Sequence, residues 1–495
     1  MPESRKSTRF EQSSTVLQYC TIFIRYPFPG MTLHGGGGLP STSTQQPAGP
    51  EAEFLHGALA VGAARILEVT GDPVLAGMFV HAMRNTLDTT LTREVGGTTF
   101  VITGDIPAMW LRDSSAQMLP FLRLLGAGVG GGAGPDSGDE LSDVVAGLVR
   151  RQFECVAMDP YANAFNQEPN GASYDPADAC DNPWIWERKY EIDSLAFPVQ
   201  LAHQLWRRTG RTDIFTDAAH EAMWSIVRQW RLEQGHEQNS DYRFVRHTEL
   251  PSETLSRDGL GPATAVTGMT WAGFRPSDDA CVYSYNVPGN HFAKLALGHI
   301  GEIAAVVYQD AELAAEALAL GADIAAGIAR HGVVNHPDFG DIYAYEVDGL
   351  GNTLLMDDAN MPSLLSLPLT GGVDAADPVY QATRAFVLSN ANPYFYTGSH
   401  AAGIGSPHTP EGYIWPIALA VQGLTAATRE EKWDILQTLR DTTGGTGNMH
   451  EGFNPDNPEQ FTRPWFSWAN SMFCELLLDY CEGPDGHDNK NGNVS

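Results

Sequence analysis

Two carboxylates side by side, Asp278 and Asp279 in "GFRPSDDA", are residues whose placement suggests chemistry. Like charges this close raise the proton affinity of one partner, which suits a general acid at neutral pH. A structural use competes with it: helix capping plus an ion pair to Arg275. A second acidic pair, Asp357 and Asp358, stands in "MDDANMPS", and "MHEGF" sets Glu451 behind His450, ahead of a Trp-rich helix. "GIGSPHTPEGYIWP" adds His408 and Glu411. In "TGDIPAMWLRDSSAQMLPFL", Ser114 followed by Gln117 reads as a capping box with Ser114 as N-cap. Arg112 and Asp113 are then left over, either as an ion pair pinning a loop or as a hydrogen-bonding pair beside the Trp110 platform.

A longer stretch, "DPYANAFNQEPNGASYDPADACDNPWIWERKYEIDSLAFP", alternates Asn163, Asn166, Glu168 and Asn170 with Tyr161, Phe165, Trp184 and Trp186. Amides and carboxylates bond vicinal hydroxyls, while aromatic faces cover the C–H side of a sugar ring. That alternation suits a neutral polyol. Glu191 and Asp193 follow where acids also favour a helix dipole, so they divide between ligand and structure. Carboxylates and aromatics gathered at one mouth favour glycosidic-bond chemistry by two carboxylates.

Other chemistries find less support. Double aspartates can hold calcium, but neither pair has EF-hand spacing. HExxH is absent, and the 15 histidines form no ligand-spaced cluster, so no metal and no cofactor are expected. GxxxxGK[ST] and GxSxG are missing as well.

The elements that position these residues are helical. Apolar residues recur at three- and four-residue steps over 54–69, 74–92, 115–125, 139–157, 191–209, 212–232, 286–307, 309–331, 359–369, 376–389, 411–427, 429–442 and 464–482. Tight links such as "TGRT" pair neighbours into hairpins, and long loops lie between the pairs at 93–114, 158–190, 233–285, 332–358, 390–410 and 443–463. Connections of that length are unusual unless they carry function. Six pairs separated by six loops predict an all-α toroid of helical hairpins, an (α/α)6 barrel with its loops at one mouth. An open solenoid is the competing arrangement, but no fixed-period repeat accompanies it.

The chain has 495 residues, 43% of them hydrophobic, enough for a large core. Sixty acidic against 30 basic side chains give a formal charge of −30, which disfavours nucleic acid and an anionic membrane surface. A neutral substrate meets no such objection. No window approaches ~18 uninterrupted apolar residues, so no membrane-spanning helix is expected. Six cysteines without CxxC spacing read as reduced thiols. The N-terminus shows no clean signal-peptide pattern, and a cytoplasmic location is the expectation. Residues 1–50, with "GGGGLPSTSTQQPAGPE", read as a flexible extension, 51–484 as the catalytic barrel and 485–495 as a disordered tail.

Taken together, "GDIPAMWLRDSSAQ", "NPWIWERKYEIDSL", "GFRPSDDA", "LLMDDANMPSLLS", "GIGSPHTPEGYIWP" and "MHEGFNPDNPEQFTRPWFSWANS" resemble glycoside hydrolase family 125, in order, across 53–482. The resemblance implies an inverting, exo-acting α-1,6-mannosidase on an (α/α)6 barrel that needs no metal and takes an α-mannoside oligosaccharide. It places the general acid in "RPSDDA", at Asp278 with Asp279 as the alternative, and the base at Glu451 in "MHEGF". It makes Trp110, Arg112, Asp113 and Trp186 sugar contacts; Asn166, Glu168, Arg275, Asp279 and His408 join them as expected substrate-binding residues. Inversion requires carboxyls roughly 6.5–9.5 Å apart, to admit a water. A calcium-dependent mannosidase and an inactive mannoside-binding protein on the same scaffold are the alternatives.

Overall fold

The computed structural model describes residues 50–125, 140–176, 178 and 180–482. The expected N-terminal extension, apart from Pro50, and the C-terminal tail lie outside the described residues, as does Cys20. The other five cysteines are free thiols.

Thirteen helices build the frame: α1 (Pro50–Thr70), α2 (Pro73–Asn85), α3 (Leu111–Leu124), α4 (Glu140–Met158), α5 (Ile192–Thr209), α6 (Asp217–Glu233), α7 (Val287–Ile303), α8 (Ala311–Gly327), α9 (Leu367–Thr370), α10 (Pro378–Val387), α11 (Pro416–Leu424), α12 (Arg429–Asp441) and α13 (Ser467–Glu482). Side chains with acceptor oxygens start several of them, with Asp72, Thr216, Asp310, Asp377 and Thr428 each accepting first-turn N–H groups. The fold is an (α/α)6 barrel. In the inner ring α3 packs on α5, α5 on α7 and α7 on α9, while α11 packs on α13, which returns to α3. The outer partners include α2 against α13, α4 against α5, α8 against α7 and α12 against α11.

Burial separates the two rings as their sequences require. Of α3, 12 of 14 residues are buried, and of α13, 13 of 16. In α12 only Ile435, Leu436 and Leu439 are. A helix covered on all sides tolerates no charged stripe, whereas an outer helix needs one. Both rings share one continuous hydrophobic cluster, with Phe121, Phe197, Phe292, Leu367, Leu419 and Phe473 drawn from the six inner helices.

Three expectations are corrected. The helix expected over 359–369 is reduced to the single turn of α9. Its residues are instead wound around Asp357, whose carboxylate accepts the N–H groups of Leu364 and Leu365 at 2.8 and 3.0 Å. The loops between hairpins are also not structureless. Short antiparallel sheets tie them: β1 (Met109–Trp110), β2 (Ala164–Phe165) and β3 (Ile185–Glu187) in one, and β4 (Tyr285–Asn286), β5 (Glu346–Val347) and β6 (Thr353–Leu354) in another. β1 and β4 run straight into α3 and α7, so sheet pairing fixes how those inner helices begin.

The capping box expected at Ser114 is likewise absent. α3 begins four residues earlier, with Trp110 at its N-cap, because Leu111 N donates to Asn163 O at 3.0 Å and commits the turn there. Ser114 Oγ donates back to Trp110 O at 2.7 Å, and Gln117 Nε2 reaches Ile102 O. Arg112 and Asp113 therefore sit in the first turn of an inner helix rather than in a loop.

Gly104 closes the barrel at this point. Its φ of 139° is one few side chains adopt, and an added Cβ would lie 2.5 Å from Trp465 O. Thr103 O and Asp105 N bond Ser467 N and Trp465 O on either side of it. Gly104→Ala is expected to lower stability by about 1–3 kcal/mol, read from urea unfolding. An unchanged midpoint would mean that the two segments are not held in register there.

Candidate active site

The N-terminal ends of the inner helices converge on a pocket of about 210 Å³. α3 contributes Trp110, Arg112 and Asp113; α11 contributes Trp415 at its cap; Phe466 and Trp468 come from the start of α13. Loops add Tyr174, Lys189, Glu253, Asp278, His408 and Glu451.

Arg112 is the hub. Its Nη1 donates to Glu191 Oε2 at 2.7 Å and Asp193 Oδ2 at 3.1 Å, and its Nη2 to Asp278 Oδ1 at 2.9 Å. Nε lies 3.4 Å from Asp113 Oδ1. One guanidinium thus faces four carboxyls, with Trp468's ring centroid 5.6 Å from its Cζ. Burial pushes Glu191 well above the usual carboxylate range, though Arg112 opposes the shift. Burial likewise takes Asp193 up to about 6 against the pull of Arg112. For Asp278 burial acts in the same direction but is outweighed: Arg112, a hydrogen bond with Glu191, Lys189 and His408 hold it below its ordinary value. Asp113 accepts from Thr103 Oγ1 at 2.6 Å through Oδ2, while Oδ1 is buried without a hydrogen-bond partner.

The adjacent aspartates part company. Asp278 takes a left-handed backbone, φ 66°, in a turn closed by Asp278 N to Arg275 O and Arg275 N to Asp279 O. Its carbonyl accepts from Lys189 Nζ at 2.8 Å. Asp278 consequently points into the pocket towards Arg112, whereas Asp279 accepts from His408 Nδ1 at 3.1 Å. The like-charge coupling expected between these neighbours instead links Asp278 with Glu191. Arg275 pairs with neither aspartate; its Nε donates to Glu346 at 2.5 Å, behind the pocket wall.

Glu451 enters from the hairpin of β7 (Phe453–Asn454) and β8 (Asn457–Phe461). Its N donates to Thr462 O at 3.3 Å, and Arg463 Nη1 stands 3.7 Å from its Oε1. His450 is turned away, stacked on Phe461 at 3.6 Å and bonded to Thr446.

Comparison with known proteins fits this geometry. A family model described as metal-independent alpha-mannosidase (glycoside hydrolase family 125) matches residues 72–478. The chain belongs to this family.

The mannosidase is 40% identical over 440 residues to the meiotically up-regulated gene 157 protein of Schizosaccharomyces pombe, covering 84% of each chain. A solved metal-independent α-mannosidase from Streptococcus pneumoniae, in a non-productive complex with α-1,6-mannobiose, shares 47% identity. Its TM-score is 0.82, over 87% of this chain and 98% of that one. A bacterial glucoamylase bound to acarbose, 13% identical with a TM-score of 0.54 over 82% of this chain and 55% of its own, shows likeness of fold alone.

Of the residues singled out from sequence, Trp110, Arg112, Asp113, Asp278, His408 and Glu451 line the mannosidase pocket. Asn166, Glu168, Trp186, Arg275 and Asp279 are not among its lining residues. Asn166 braces its own loop through Ala172 O and Pro183 O, and Glu168 is exposed. Trp186 packs behind Trp110. Sequence reasoning overlooked Glu187, Lys189, Glu253, Arg463 and Trp468. The mixed charges of "WERKYE" and the tryptophans of "RPWFSW" were the available signals. Asn163 and Arg246 set the first of these, Asn163 Nδ2 donating to Glu187 at 3.0 Å and Arg246 reaching Glu187 and Glu253.

Among the described residues, Glu253, Asp279 and His408 place ligand atoms within 4.8 Å of one another. These donors are already committed to cations. Lys189 and Arg246 hold Glu253, and the carboxylates of Asp279, Glu451 and Asp278 favour the charged form of His408. A metal-binding imidazole must be neutral. The trio therefore suits an ion-pair network better than a metal, in keeping with a family of metal-independent enzymes.

Burial would lower His408, but its hydrogen bond to Asp279 and the nearby charges of Asp279, Glu451 and Asp278 raise it from 6.5 to about 9. A raised folded-state value contributes stability that is complete below the unfolded value and fades above it. The difference in melting temperature between wild type and His408→Gln should thus be greatest below pH 6.5 and shrink as pH rises through about 9. A constant difference across that window would rule out the charged pair.

Proposed function

We propose that this enzyme is an inverting, exo-acting α-1,6-mannosidase with Asp278 as general acid and Glu451 as general base. The observation that carries the reading is the entry of both carboxylates into one pocket from separate loops, Asp278 on Arg112 and Glu451 beside Arg463. The α-1,6-mannobiose held by the Streptococcus relative supports the linkage.

Asp278 protonates the departing glycosidic oxygen, and Glu451 removes a proton from water attacking the opposite face of the sugar. Trp110 and Trp468 wall the terminal mannose, and each carries an indole N–H that is buried without a partner. Asp113 Oδ1, buried without a hydrogen-bond donor, accepts a sugar hydroxyl. Arg112 lines the pocket, yet its Nη donors are taken by carboxylates, so it orients Asp278 rather than the sugar. A pocket walled by Trp110, Trp415, Phe466 and Trp468 suits a chain end better than an internal unit, which favours exo action. A cytoplasmic location is part of the same proposal.

Incubation with α-1,2-, α-1,3- and α-1,6-linked mannobioses should release mannose fastest from the last. Proton NMR should find β-mannose as the first product. Preference for another linkage, or α-mannose appearing first, would reject the specificity or the inversion respectively.

Glu451→Gln should keep the fold and lose ~10²–10⁴ in turnover, since an amide cannot accept the proton of water. Asp278→Asn should damage mannobiose hydrolysis far more than that of an activated aryl mannoside, whose leaving oxygen needs less protonation. If Asp279→Asn shows this leaving-group dependence and Asp278→Asn does not, the acid is Asp279.

A further inference from the structure

Glu191 stands at the N-terminus of α5, fully buried and outside the pocket lining. Its Oε2 accepts from Arg112 Nη1 at 2.7 Å and from Ser194 Oγ at 2.9 Å. Oε1 is buried with no donor reaching it. Glu191 and Asp278 are held on one guanidinium, by Arg112 Nη1 at 2.7 Å and Nη2 at 2.9 Å, so the two carboxyls act on each other. Two ionised carboxyls on one buried guanidinium repel strongly, and a single proton shared by the pair turns that repulsion into a hydrogen bond.

The charge balance calls for the same proton. Arg112 faces Asp113, Glu191, Asp193 and Asp278 together. Lys189 approaches Asp278 but divides its charge with Glu187 and Glu253, and His408 is engaged by Asp279. Of the remaining groups near Glu191, Asp193 is a further acid, and Cys281 is held neutral by burial.

We infer that Glu191 is a positioning residue that holds, on Oε1, the proton Asp278 delivers to the glycosidic oxygen. The inference rests on the reading of Asp278 as general acid. In the empty site the proton lies on Glu191 and is donated to the Asp278 carboxylate, consistent with burial raising the first and Arg112 lowering the second. When a glycosidic oxygen approaches Asp278, the O–H of Glu191 transfers its proton to one Asp278 oxygen. Asp278 passes a proton to the leaving oxygen as the bond from C1 to that oxygen breaks, with the bonding pair going to the oxygen. The Glu191–Asp278 pair is left with two negative charges beside Arg112. It regains one proton from solvent through Asp278, whose side chain is 23% exposed while that of Glu191 is closed off.

Glu191→Gln tests this, because the amide donates permanently to Asp278 and keeps it ionised. The descending limb of the kcat/KM–pH profile should move down by about one pH unit or more. At neutral pH, α-1,6-mannobiose turnover should fall by ~10–100-fold, with an activated aryl mannoside much less affected. A uniform loss at every pH and on both substrates, or an unshifted profile, would overturn the inference. Asp278→Asn is measured in parallel. If it shows no leaving-group dependence, the acid assignment itself fails; if it does and Glu191→Gln does not, only the role of Glu191 fails. Should Glu191→Gln not fold, infrared spectra of protein labelled with 13C-carboxyl glutamate decide. A protonated-glutamate carbonyl band at neutral pH that moves in Asp278→Asn supports the inference, and its absence refutes it.

Discussion

Desolvating a guanidinium costs several kcal/mol, and Arg112 is tolerated at the end of the helix ring because four carboxyls surround it. Those carboxyls come from α3, the start of α5 and the loop before α7, so three parts of the barrel must be in register before the charge is compensated. Removing one partner leaves another charge buried and unpaired, which is why a cluster of this kind is geometrically unforgiving. The loop that carries Asp278 inherits its position from it. Asp278 is held by Arg112 at its carboxyl and by Lys189 at its carbonyl, which keeps its left-handed backbone in place.

The architecture supplies the surroundings such a cluster needs. Inner helices present their N-termini to the mouth, where partial positive charge favours acids in the first turn, as with Asp113 and Asp193. Helices buried all round exclude water beneath the cluster, strengthening each electrostatic contact above it. The rim is then built from segments distant in sequence: 103–105 bonded to 465–467, Ile414 paired with Phe453, and the three strands β1, β2 and β3 holding Trp110 against Trp186.

A chain of formal charge −30 carries many acids and must keep them apart in role. The mouth does so by giving each carboxylate a different partner. Asp278 has Arg112, Asp279 has His408, Glu253 has Lys189 and Arg246, and Glu451 has Arg463. The same residue type can then donate a proton, accept one or brace a wall, according to what faces it.

Periodicity in the sequence foretold most of the helices, their pairing and the long loops, because a helix is encoded by residues three and four apart. Carboxylates and aromatics in those loops pointed to a sugar, since composition survives without knowledge of contacts. Register did not. The capping box at Ser114 fails because a backbone bond from distant Asn163 starts the helix at Leu111. The Asp278–Asp279 neighbours divide because φ at Asp278 turns them apart, and its real partner, Arg112, lies 166 residues away. Asn166 and Arg275, polar in type, are consumed by bonds behind the wall. Local spacing determines what a segment becomes; which side chain faces the substrate is decided only when segments far apart close the barrel, since that closure alone fixes which charges compensate each other out of water.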